Sequence, residues 1–156
     1  MRYLLAIALM TLVPLPANAA DLKGKARIID GDTIELAGER VRLHGIDAPE
    51  EGQTCTAGGK AWRCGQDATF ALAHEVGNHW VTCKVRTRDR YGRLIAKCYV
   101  GPYDLGAKMV RNGWAIAYRR YSEDYVDEEA KAMDDHVGLW RGEFLPPWEW
   151  RKQKRQ

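Results

Sequence analysis

Three short segments place charged residues at turns and strand ends, positions that a packed core does not use. The first is Asp30-Gly31-Asp32-Thr33, two carboxylates flanking a glycine at a strand turn. The second is Arg42-Leu43-His44-Gly45-Ile46-Asp47-Ala48-Pro49-Glu50. There Arg42 lies in a strand, Asp47 and Glu50 fall just past its end, and Pro49 fixes the backbone. The third is Asp89-Arg90-Tyr91-Gly92-Arg93, at a hairpin turn. Two carboxylates with backbone carbonyls and water suit a hard cation such as Ca²⁺ or Mg²⁺. Two arginines clamp a phosphate bidentately and meet the charge that develops in a transition state. A carboxylate off the metal serves as base for a water. Together these are the parts of metal-assisted phosphodiester hydrolysis. Singly each has a plain explanation: Asp-Gly-Asp is a common hairpin turn, Arg42 fits a surface strand, and Arg93 simply follows a turn.

The elements that must position these residues are short strands with turn signals between them. The pattern predicts strands over 26–29, 33–36, 41–46, 81–85 and 94–100, with Asp30-Gly31-Asp32 and Gly38 as turns. Residues 47–65 are rich in Gly, Thr and Cys without periodicity, and read as a long loop of the kind that is usually functional. A helix is expected over 66–76, with Phe70, Leu72, Ala73 and Val76 as its apolar stripe and Gly77 ending it. Asp104 caps a second helix that runs to Arg111 and is closed by Asn112-Gly113. Residues 114–118 form a short apolar run. Ser122 caps an acidic, solvated helix that stops at Gly138. Five strands with about three helices inserted and appended give an α+β fold, a five-stranded OB-type Greek-key β-barrel.

With 156 residues the chain fits one domain. Hydrophobic and charged fractions of 46% and 29% exclude general disorder and collagen-like repetition. Only one long apolar run exists, which excludes a multi-pass membrane protein. That run lies within residues 1–20: Arg2, an apolar stretch over 4–13, then Ala17-Asn18-Ala19, the small-x-small pattern of a signal peptidase site. Its apolar core is too short to span a bilayer. The expected layout is a signal peptide over 1–19, a domain over 20–150 and a frayed basic tail over 151–156, with export to a periplasm or the medium. A net charge of +3 does not by itself imply a nucleic-acid partner. Its distribution says more, since basic residues gather between Lys84 and Arg93, at Arg119-Arg120 and in the tail.

Four cysteines in an exported chain read as two disulfides. A hairpin centred between Arg90 and Tyr91 pairs residues whose numbers total 181, which puts Cys83 opposite Cys98. Cys55 and Cys64 then close the intervening loop on themselves. A zinc site is disfavoured, because no C-x-x-C and no histidine at ligand spacing is present.

The order and spacing of IDGDT, RLHGIDAPE and DRYGR resembles the thermonuclease family, the staphylococcal-nuclease-like OB-fold nucleases. The resemblance extends from about Lys25 to Trp140 and includes MVRNGWA and GLW. It implies that Asp32 and Asp47 are calcium carboxylates and that Ala48 donates a backbone carbonyl to the metal. Asp30 corresponds to an acid just outside the ligands, and Glu50 to the carboxylate that positions or deprotonates the attacking water. Arg42 and Arg93 correspond to the phosphate-binding pair, and Tyr91 and Tyr118 to tyrosines near the nucleotide. The implied activity is Ca²⁺-dependent hydrolysis of nucleic acid by a monomer, with 5′-oxygen departure and 3′-phosphate ends. DNA is the expected substrate, and contacts confined to phosphates would admit RNA. The chain departs from the archetype in its cysteines, in the loop after Glu50, and in Arg120, which stands where a second aromatic is expected.

Other residues have plainer readings. His44 shares a strand face with Arg42 and reads as a hydrogen-bonded barrel residue. His74, His79 and His136 lack mutual metal spacing. Trp114, Trp140, Trp148 and Trp150 read as pins that hold strands and tail to the domain. Two rival functions remain, a non-catalytic OB module that binds nucleic acid or protein and a hydrolase of small phosphodiesters. The complete set Asp32, Arg42, Asp47, Glu50 and Arg93 favours the nuclease.

Overall fold

The computed structural model describes residues 21–156. The expected signal segment lies outside the described residues. Among the described residues eleven strands occur in chain order: β1 (Leu22–Gly24), β2 (Ala26–Ile28), β3 (Thr33–Leu36), β4 (Glu39–Leu43), β5 (Ile46–Asp47), β6 (Cys55–Ala57), β7 (Lys60–Trp62), β8 (Val81–Arg88), β9 (Leu94–Val100), β10 (Tyr103–Asp104) and β11 (Ile116–Ala117). Four α-helices join them, α1 (Cys64–Val76), α2 (Leu105–Arg111), α3 (Val126–Asp134) and α4 (Pro147–Gln153), with a 3₁₀ turn over Gly138–Arg141. The main sheet has the order β1-β8-β9-β4-β3-β2, with β10 added to β9. All its pairings are antiparallel except β4 with β9. This is the curled, mixed sheet of an OB-like α+β fold. Its concave face carries Ile34, Leu36, Val41, Leu43, Val81 and Ala96, covered by Leu72 of α1 and Leu105, Met109 and Val110 of α2.

The expected 41–46 strand is two elements. Gly45 takes φ +74° between them, a backbone that glycine adopts without penalty. The break frees β5 from the main sheet to pair with β11, Ile116 opposite Asp47 and Ala117 opposite Ile46. Arg42 therefore stays in the barrel wall while Asp47 is turned toward its rim. The buried Glu129 of α3 accepts the Ala117 amide at 2.9 Å and pairs with Arg119, so one residue of the helix read as solvated holds β11 in place.

Helix α1 begins two residues earlier than expected and buries Ala68, Leu72 and Val76, spaced at i, i+4 and i+8. Phe70 falls off that face and is 61% exposed, so it does not belong to the stripe. Asp104 caps α2 as expected, its carboxylate accepting the amides of Gly106 (2.8 Å) and Ala107 (3.2 Å). Ser122 does not cap α3. It accepts the Asp124 amide in a turn, and the helix starts only after Tyr125, whose buried ring is tied by its hydroxyl to Asp104. The helix ends at Asp134, short of Gly138. Within the expected 47–65 loop, β6 and β7 form a hairpin that also bridges to Glu143. The expected tail is helical to Gln153.

Both disulfides are present, Cys55–Cys64 and Cys83–Cys98. The second forms because two irregularities cancel. The turn is one residue longer than assumed, with the Asp89 amide bonded to the Arg93 carbonyl (2.9 Å), which pairs Thr87 with Ile95. A bulge at Arg86 takes up the extra residue and restores Cys83 to Cys98. Without it Cys83 would face Tyr99. A Cys83→Ala/Cys98→Ala variant should lose about 3 kcal/mol, the loop-closure contribution of a crosslink over about 15 residues, while the short Cys55–Cys64 loop contributes less. Urea unfolding of the oxidised wild type beside the variant measures this; an unchanged midpoint would show that the crosslink adds nothing.

Candidate active site

Arg42 is the hub. From β4 its Nη1 donates to Asp32 Oδ1 and its Nη2 to Asp47 Oδ1, both at 2.7 Å, and Nη2 also reaches the Ile46 carbonyl at 3.4 Å. Asp32 Oδ1 further accepts the Thr33 hydroxyl (2.9 Å), and its Oδ2 the Ala48 amide (2.9 Å). Both aspartates are buried. Burial lowers an arginine's affinity for its proton, yet Asp32 and then Asp47 raise that of Arg42 above its ordinary value. Asp30 accepts the Asp32 amide at 3.0 Å. Burial first, and the Asp32 charge second, push the Asp30 carboxyl up to about 6. Burial also pushes Asp47 up, against the opposing pull of Arg151 and Arg42.

The loop bearing Glu50 is held from three sides. Pro49 restricts it, Gln53 accepts the Glu50 amide at 3.3 Å, and Gly65 at the start of α1 lies directly against the Glu50 backbone. Gln53 is fully buried and donates to the Leu145 carbonyl at 2.7 Å, tying this loop to the C-terminal segment. Gly31 serves a similar packing need in the first motif. A methyl group there would stand 2.8 Å from the Ala48 Cβ and 2.9 Å from the Ala68 Cβ.

The structure thus brings Asp30, Asp32, Arg42, Asp47, Ala48 and Glu50 into one hydrogen-bonded neighbourhood. Arg93 and Tyr91 are placed differently. Arg93 Nε donates to Asp89 Oδ2 at 2.8 Å, so its contacts lie within its own turn. Tyr91 is exposed at the hairpin tip, where Arg90 donates to its hydroxyl (2.7 Å) and covers its ring. Tyr118 follows β11 and is stacked face to face on Trp148, with centroids 5.3 Å apart and planes 3° from parallel. His44 lacks the hydrogen bond expected of it, since its Nε2 is buried without one and the nearest carboxylate, Asp124, is 3.5 Å away.

Sequence reasoning missed Arg151. From α4, its Nη1 donates to Asp47 Oδ1 (3.0 Å) and Glu50 Oε1 (2.7 Å), and its Nη2 to Asp47 Oδ2 (2.8 Å). The residue read as part of a frayed tail therefore joins Asp47, which ends β5, to Glu50 just past it. A signal for it exists in the chain: Pro146-Pro147 opens a helix, and Trp148 and Arg151 stand three residues apart on one of its faces.

The donor set fits a hard cation. It is all oxygen, and Asp32 Oδ2 and Asp47 Oδ2 each accept a single hydrogen bond. The Asp32 charge bears on both Asp30 and Asp47, a repulsion that a cation relieves. Among the described residues no cluster of three or more His, Cys, Asp or Glu surrounds one point. The remaining ligands would be a carbonyl, water and the substrate phosphate.

Residues 40–142 match the family described as "Staphylococcal nuclease homologue". The chain is 36% identical over 132 residues to the succinoglycan biosynthesis protein ExoI of Rhizobium meliloti, a match covering 81% of this chain and 69% of that one. It is 34% identical over 169 residues to a micrococcal nuclease of Shigella flexneri, covering 96% and 91%. An endonuclease of Escherichia coli O157:H7 is 34% identical over 148 residues, covering 89% and 91%. The chain belongs to the staphylococcal nuclease homologues and is a disulfide-containing member. It is a nuclease that hydrolyses phosphodiester bonds of nucleic acid, in a family whose members are generally metal-dependent.

Proposed function

We propose that this nuclease is an exported, monomeric, calcium-dependent enzyme that hydrolyses DNA, admits RNA, and leaves 3′-phosphate ends. The observation that carries the reading is the bridging of Asp32 and Asp47 by Arg42 with Glu50 alongside. Asp32, Asp47 and the Ala48 carbonyl would hold the cation, which supplies neutralisation of phosphate charge and orients the diester. Glu50 holds a water in line with phosphorus and receives its proton. Arg42 and Arg93 meet the negative charge that grows on the phosphoryl oxygens as the water oxygen bonds to phosphorus and the 5′ oxygen leaves. Tyr91 and Tyr118 flank the nucleotide. None of these groups reads base edges, so the substrate is recognised through its phosphates.

Export rests on the residue 1–19 signal pattern and on the two disulfides, which persist in oxidising compartments. Among the described residues no helix is long and apolar enough to cross a membrane. The mature domain begins at residue 20.

The test is fluorescence from a quenched single-stranded DNA substrate with the purified mature chain, in Ca²⁺, in Mg²⁺ and with a calcium chelator. A Glu50→Gln variant runs beside it. Cleavage should require Ca²⁺ and fall by roughly a hundredfold or more in the variant, the lower range for loss of a positioned base. A folded protein without cleavage would favour the binding module. Cleavage that survives both chelator and variant would overturn the mechanism.

A further inference from the structure

The C-terminal helix lies across two groups that the proposed reaction needs. Arg151 occupies both oxygens of Asp47 and one oxygen of Glu50. With Arg42 on the same Oδ1, Asp47 Oδ1 has no lone pair left, and Oδ2 has one. One turn away on the same helix face, Trp148 covers the ring of Tyr118. The helix is seated by more than these contacts. Pro147 is buried, Trp148 packs on a second apolar cluster of Cys55, Cys64, Ile116 and Leu139, and Gln53 holds the preceding Leu145 carbonyl. Arg151 is 29% exposed, so its charge is partly shielded from solvent and acts on the carboxylates at close range.

A guanidinium and a divalent cation compete for the same carboxylate oxygens. A calcium ion binds such an oxygen at about 2.3–2.6 Å, within the sector that the Arg151 N–H groups fill at 2.8–3.0 Å. Two cations there would also repel each other. We infer that Arg151 is a tethered cation that excludes the divalent metal from Asp47, so that α4 is a latch that sets the metal affinity of the site and opens when metal binds. This rests on the metal reading of the site proposed above. Release of the latch has two linked consequences. It frees Glu50 from a charge partner that holds one of its oxygens, and it uncovers Tyr118 for a nucleobase to stack on. Because coupling between sites is reciprocal, metal weakens α4 docking by the factor by which α4 docking weakens metal binding.

Calorimetric titration of Ca²⁺ into the mature chain and into Arg151→Gln reads the first half of this linkage. The variant should bind Ca²⁺ roughly tenfold more tightly, a difference of about 1.4 kcal/mol. Lys154→Gln, at the C-terminal cap of the same helix and without a contact to the carboxylates, should leave the affinity unchanged. Asp32→Asn should weaken binding in either background, since Asp32 makes no contact with Arg151. Amide exchange of residues 148–153 in the wild type reads the second half without any substitution. Saturating Ca²⁺ should accelerate it while the barrel stays protected. Equal or weaker Ca²⁺ binding by Arg151→Gln, or α4 amides that become more protected with Ca²⁺, would overturn the latch and leave the metal site standing. No heat from any of the folded proteins would overturn the metal site itself, and the latch with it. Should Arg151→Gln fail to fold, Arg151→Lys, which keeps the charge but cannot span two carboxylates, should bind Ca²⁺ more tightly than the wild type, and unchanged affinity would count against the latch.

Discussion

Arg42→Ala should abolish most activity and destabilise the protein at the same time. Its side chain is 16% exposed and bridges Asp32 and Asp47, whose side chains are 5% and 0% exposed. Deleting it leaves buried carboxylates without their shared counter-charge, and breaking a buried pair costs about 3–5 kcal/mol. Arg151 still partners Asp47, which places the expected loss at the lower end of that range. The rate should fall by roughly 10²–10³, the effect of removing one donor aimed at developing oxyanion charge. Arg42→Lys should recover little of either, because an ammonium is a point charge and cannot bridge two carboxylates in one plane. Denaturant unfolding and initial rates on the same preparations separate the two effects. A folded Arg42→Ala protein that loses less than tenfold in rate would refute the role given to this residue.

Gly65→Ala should be as damaging to catalysis although Gly65 carries no chemistry. A methyl group at this position would stand 1.6 Å from the Glu50 carbonyl oxygen and 2.5 Å from its carbon. The first turn of α1 must therefore move away from the Glu50 loop, or the loop must move. Displacement of a catalytic group by about 1 Å costs roughly a hundredfold in rate, and the overpacking itself about 1–3 kcal/mol. Gly52→Ala is the contrast: nothing lies within 4 Å of a methyl there, and the same substitution in the same loop should be nearly silent. Rates, stabilities and the Ca²⁺ affinity of both variants check this. A Gly65→Ala enzyme with wild-type turnover would mean that Glu50 does not need its present position.

Much of the site was legible because its residues lie in three short motifs with strong local rules. Asp-Gly-Asp at a strand turn, a proline fixing the segment before Glu50, and a hairpin closed by Asp89 and Gly92 all act over a few residues. The same holds for the Asp104 cap of α2, and for the strands at 33–36 and 94–100, whose β-branched and apolar residues favour extended backbone. Chain statistics fail where a long-range contact overrides the local preference. Ser122 has the composition of a helix cap, but the burial of Tyr125 and its bond to Asp104 delay α3. Residues 55–62 have no clear alternation, yet a disulfide and a bridge to Glu143 turn them into a hairpin. The Arg86 bulge is invisible in the sequence, and the correct cysteine pairing depended on it.

By itself, then, the sequence determined the fold class, the family and the candidate residues for phosphodiester chemistry. All of these follow from patterns within a turn, a strand or a hairpin. Only the tertiary structure decided how the charges are shared. It turned Asp47 out of the main sheet at Gly45, set Arg42 between two buried carboxylates, and kept the Arg93 side chain bonded to Asp89. It also carried Arg151 from a segment that reads as a solvated tail onto Asp47 and Glu50, about a hundred residues earlier in the chain. Buried like charges demand counter-charges wherever the chain can supply them, and which residue meets that demand depends on where the C-terminal helix packs.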